Sequence, residues 1–134
     1  MLVASSAAML SGCTAGGPPA PKARVTILKA PAYDQSLYAI VRQLLEDQKL
    51  HVRGKHVVLK PNLVEFDASR PINTNPVFAH AAVEGFRSLG AASVRIAEGP
   101  GHRQDALDIA DAAGYFREIP GFEDLFCDLN LDAV

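Results

Sequence analysis

Lys55-His56-Val57-Val58-Leu59-Lys60-Pro61-Asn62 is the stretch that decides the fold. Its centre is β-rich and does not alternate between apolar and polar residues, the pattern of a strand covered on both faces in a parallel sheet. Gly54 supplies the turn before it. Upstream, Val25-Thr26-Ile27-Leu28 has the same character and is stopped by Pro31. Between the two runs, Leu37, Ile40, Val41, Leu44 and Leu45 recur at helical spacing. They predict a helix over 36–48, capped by Asp34 or Ser36 and packed on the sheet.

Downstream the alternation continues. Asn75 before Pro76 is the arrangement of an N-cap followed by a first helical residue, and the helix it opens places Phe78, Ala81, Ala82, Phe86 and Leu89 on one face. Gly90 is its left-handed stop. A strand follows at 93–97, then Glu98-Gly99-Pro100-Gly101-His102, then a helix over 104–113 ending before Gly114. A further strand is expected at 125–129. Strands joined by helices of this length are the signature of βαβ units, and parallel neighbours require right-handed crossovers. The fold class is therefore α/β, an open and mainly parallel sheet with crossover helices. Strands at 24–28, 55–60 and 93–97 should be parallel neighbours in it. The sequence reaches Val134 with no closing helix after its last strand, so a truncated domain, the first half of a larger one, is expected.

Composition bounds the function. With 134 residues, 49% of them hydrophobic and 21% charged, the chain suits one globular domain, here 22–134. The formal net charge is −2 and no Lys/Arg block is present, so nucleic acid is not an expected partner. No apolar run approaches the roughly 20 residues that a spanning helix needs.

Residues 1–21 read as a signal and flexible tether. Small apolar residues lead into Leu10-Ser11-Gly12-Cys13, and Gly, Pro and Ala follow. This resembles a bacterial lipoprotein lipobox, with Cys13 as the lipidated residue that anchors the domain to a membrane surface of the cell envelope. The first basic residue is Lys22, so the basic start of a secretory signal is not in the segment. The alternative is an Ala/Ser/Gly leader on a cytoplasmic protein. The other cysteine, Cys127, lies in an apolar stretch and is read as a core filler.

Ligands of open parallel sheets gather outside the carboxyl ends of the strands. That edge should collect Lys60 and Asn62 after one strand, Thr74 and Asn75 at a helix start, and Glu98, Gly99, Gly101 and His102 after the next strand. Lys60 and the helix amides suit an anion such as a carboxylate or phosphate. The glycines would let backbone approach a ligand, and Glu98 and His102 are the candidates for proton transfer. Each also has a structural explanation: Lys60 can lie over a strand end, Asn62 can turn the chain, and Asn75 can cap its helix. Gly99-Pro100-Gly101 completes neither a dinucleotide fingerprint nor a phosphate loop, so no nucleotide site is expected.

Four separated pieces, Lys60-Pro61-Asn62-Leu63-Val64, Thr74-Asn75-Pro76, Gly90-Ala91-Ala92 and Glu98-Gly99-Pro100-Gly101, together resemble the bacterial and archaeal family known as domain of unknown function 362. The resemblance covers about 25–134. It implies that the Lys-Pro-Asn piece ends an early strand and the Glu-Gly-Pro-Gly piece a later one. It also implies a second half with further Lys- and His-containing segments. Some relatives carry export signals and some are fused to iron-sulfur modules; this sequence has no matching cysteine cluster. The family implies a fold and a site but no reaction, and the cofactor stays unknown. Two functions follow as expectations. One is an envelope enzyme or cofactor-dependent protein holding an anionic small molecule, with Glu98 or His102 as acid/base or metal ligand. The other is a non-catalytic lipoprotein that binds a ligand or protein at the same edge.

Overall fold

The computed structural model describes residues 22–101 and 105–131. Helix α1 (Ser36–Asp47) is followed by strand β1 (His56–Leu59), helix α2 (Pro76–Ser88) and strand β2 (Ser93–Glu98). Three short helices, α3 (Ala106–Ala112), α4 (Tyr115–Glu118) and α5 (Phe122–Leu125), lead to strand β3 (Phe126–Asp128). The strands form one parallel sheet in the order β1-β2-β3, with Val57 opposite Val94 and Ile96 opposite Phe126. The α/β class is as expected. So are the parallel pairing of the 55–60 and 93–97 runs and the strand expected at 125–129.

The expected strand at 24–28 does not form; 22–30 carries no strand or helix and pairs with no strand of the sheet. Its alternate side chains Val25 and Ile27 are 75% and 88% exposed. Two hydrogen bonds tie it to the far end of α1 instead: Arg24 Nη1 donates to the Asp47 carbonyl at 3.1 Å and Gln48 Nε2 to Thr26 Oγ1 at 2.7 Å. β propensity alone does not make a strand, which forms only where the run lies beside another strand, and this run lies against the end of α1 instead.

Helix α1 also differs from expectation in what it covers. Leu37, Val41 and Leu45 are buried against Ala81 of α2, with Val77, Ala82, Phe86 and Leu89 around them, so α1 lies on α2 rather than on the sheet. Asp34 Oδ1 accepts from the Ser36 amide at 2.8 Å at its start. Helix α2 opens as the Asn75-Pro76 pair predicts: Asn75 Oδ1 accepts from the Val77 amide at 2.9 Å. It is covered on two sides, with Ala81 toward α1 and Ala79 and Val83 packed with Val94 and Ile96 of the sheet. A single apolar stripe was expected; a helix between two neighbours has two, and Phe78 falls outside both, 43% exposed. Gly90 ends the helix at φ 85°, a left-handed conformation that costs glycine nothing.

The core joins Leu63, Val83, Ile96, Ile109, Tyr115 and Phe122, all buried. Phe122 lies with ring centroids 5.1–5.3 Å from Tyr115, Phe116 and Phe126, and aromatic contacts at this separation add to their area burial. These short helices crowd one side of the sheet. On the other side Val58 is 64% exposed and its register partner Arg95 is exposed too. Only β2, with Ile96 and Ala97 both buried, meets the expectation of a strand covered on both faces. No helix among the described residues is long and apolar enough to cross a membrane.

Candidate functional site

Strands β1 and β2 run side by side and end together, which brings Lys60 and Glu98 into contact at the carboxyl edge. Lys60 Nζ donates to Glu98 Oε2 at 2.6 Å. The pair is asymmetric: the Lys60 side chain is 64% exposed and that of Glu98 only 7%. Burial pushes the Glu98 carboxyl up. The Lys60 hydrogen bond, the amides of Gly99 and Leu63 and the Lys60 charge together outweigh it, so the carboxyl sits below its ordinary range. Glu98 is therefore a fixed carboxylate, an acceptor and not a proton donor. An ammonium has three N–H donors. Among the described residues Lys60 uses one of them.

The residues expected beside them are occupied locally. The Asn62 amide donates to Thr74 Oγ1 at 2.9 Å, and the Thr74 amide donates back to the Asn62 carbonyl at 2.9 Å. Asn62 Nδ2 reaches the Ile72 carbonyl at 2.8 Å, and Asn73 binds the backbone of Val64 and Glu65. These bonds staple the 62–74 loop to itself, and Tyr115 fixes it from below by donating to the Thr74 carbonyl at 2.8 Å. Burial pushes the Tyr115 phenol far above its ordinary range, so it stays a neutral donor. Asn62 and Asn75 thus hold the chain's shape, the structural explanation open to each of them.

Gly99 has a similar explanation. A Cβ there would lie 2.8 Å from Asn130 Oδ1 and 3.2 Å from the Asn130 amide, so the missing side chain makes room for Asn130. Asn130 in turn donates to the Pro100 carbonyl at 2.8 Å and clamps the loop after β2 to the turn after β3. The sequence reading missed Asn130, since nothing local in Leu129-Asn130-Leu131 marks a clamp. Gly101 has open space around it. His102 and Cys13 lie outside the described residues.

Lys60 and Thr74 share a hollow of about 180 Å³ with Leu59, Phe78, Ala79 and Ile96. A larger one of about 470 Å³ includes Thr74 and Asn75 but is walled by Phe66, Arg70 and Ile72 and contains neither Lys60 nor Glu98. Of the expected residues that are described, Asn62 and Thr74 are bonded to each other within one loop and Lys60 and Glu98 as a charged pair. A family model described as Domain of unknown function (DUF362) matches residues 57–132, more than half of the chain. The chain belongs to the DUF362 family. No curated protein and no solved structure matches it.

The DUF362 match contains Lys60, the stapled loop, Glu98 and Asn130, whereas α1 and the 22–30 segment precede it. A second polar group crosses that boundary. Tyr38 of α1 meets His80 Nδ1 of α2 at 2.6 Å, and Glu118 of α4 lies 3.6 Å from the same nitrogen. Burial and then the Glu118 and Glu84 charges push the Tyr38 phenol up, so Tyr38 serves as a neutral partner of the ring. Sequence reasoning missed this group because its three members sit on three helices with no shared motif.

Proposed function

We propose that this DUF362 chain is a cell-envelope protein that binds an anionic small molecule at the carboxyl edge of its sheet, with Lys60 as the charge that holds it. One observation carries the reading: a buried carboxylate fixes an exposed ammonium where ligands of open parallel sheets collect. Glu98 positions Lys60. Its depressed pKa makes it a charged acceptor rather than a general acid. If the protein is an enzyme, His102, four residues after Glu98 in the sequence, is the candidate for acid–base chemistry. The Cys13 lipobox supports the envelope assignment.

The test is calorimetric titration of the full chain with acetate and methyl phosphate, wild type against Lys60→Ala. Loss of the charge-assisted hydrogen bond should weaken binding at least tenfold, or about 1.4 kcal/mol. Equal affinities in the two proteins would remove the anion site. Intact mass of protein from a native membrane fraction tests the envelope half of the reading: a diacylglycerol adduct on Cys13 is expected, and an unprocessed, unmodified chain would overturn it.

A further inference from the structure

We infer that the anion carries an apolar body of about the size of one aromatic ring, so that the ligand class is an aryl or similarly compact carboxylate or phosphate. The inference rests on the anion reading above and deepens it. Lys60 forms part of the wall of a hollow whose other walls are largely apolar: Leu59, Phe78, Ala79, Ala82 and Ile96. A small hydrophilic anion would leave those surfaces unused. The hollow measures about 180 Å³, and an apolar cavity of about 150 Å³ accepts a benzene molecule. One ring fits in the hollow.

The hollow has a reason in the sequence. Ala79 and Ala82 stand on α2 beside the ends of β1 and β2, and their short side chains leave the gap that a Leu would fill. Phe78 is 43% exposed at the same place and offers a ring face or edge to a ligand ring. The single charged wall residue, Lys60, has N–H donors beyond the one given to Glu98. An apolar wall with one cation along it matches an apolar body with one anionic group.

Matched pairs that differ only in the ring read this directly: acetate against benzoate, and methyl phosphate against phenyl phosphate, titrated into the full chain. Burying a ring-sized apolar surface should make the aromatic member of at least one pair bind tenfold tighter or more. Lys60→Ala should weaken both members of that pair. Ala82→Leu, which fills the hollow, should bring the aromatic-to-aliphatic affinity ratio toward one. Phe78→Ala, at an exposed position, should cut the same ratio at least threefold and serves if Ala82→Leu does not fold. Lys60-dependent binding with no aromatic preference would overturn the inference and leave the anion reading standing. An aromatic ligand whose affinity is unchanged by Lys60→Ala would be bound elsewhere and would overturn it too. Absence of Lys60-dependent binding for both pairs would overturn the anion reading itself.

Discussion

Glu98 ionises inside the fold because four favourable interactions with its charge exceed the cost of burying it. A carboxyl held below its ordinary value of 4.5 stabilises the folded chain at pH above that value. That contribution is lost as pH falls through the lower, folded-state value. Glu98→Gln removes the charge but keeps the shape, so at pH 7 it should lower stability by about 1–3 kcal/mol, the range for weakening charged hydrogen bonds to a buried group. The gap between wild type and variant should close as the pH falls below 4.5, as urea midpoints over an acid series would record. A gap independent of pH would mean that Glu98 acts through packing alone. At this scale the sequence was informative where a residue's role depends on which strand end it follows, as for Lys60 and Glu98. It was uninformative where the partner is remote in sequence, as for Asn130 against Gly99 or Tyr38 against His80.

Elements were legible where local chemistry determines them. Asn75-Pro76 specifies a helix start by itself, and the 56–59 and 93–97 runs have the composition of strands and the helix between them that parallel pairing needs. The 25–28 run has the same composition and does not pair, because propensity does not decide where a segment lies, and this one is tied to the end of α1. Phe78 shows a second limit: helical period reveals that a face is apolar, not how many neighbours the helix has. The unpaired state of 22–30 has a direct check. Ile27→Ser, at a side chain 88% exposed, should change stability by less than about 0.5 kcal/mol in chemical denaturation. A loss of 2 kcal/mol or more would show that the segment belongs to a buried strand.

For the molecule as a whole, protection should follow the sheet. β2 is bonded on both sides and carries Ile96 at the centre of the core, so its amides should exchange slowest. β1 and β3, each with one free edge, should come next, and 25–28 should exchange fastest. Hydrogen exchange followed by mass spectrometry would test that order, and amides at 25–28 as slow as those of β2 would contradict the three-stranded sheet. The order β1-β2-β3 is also the order of synthesis. Among the described residues each strand docks beside the one made just before it. Loop closure is confined to one helical crossover at a time, which keeps the sequence separation of contacts, and with it the entropic barrier to folding, lower than in a sheet whose neighbours are shuffled. A chain of this topology can assemble from its amino end as it emerges from a ribosome or a pore.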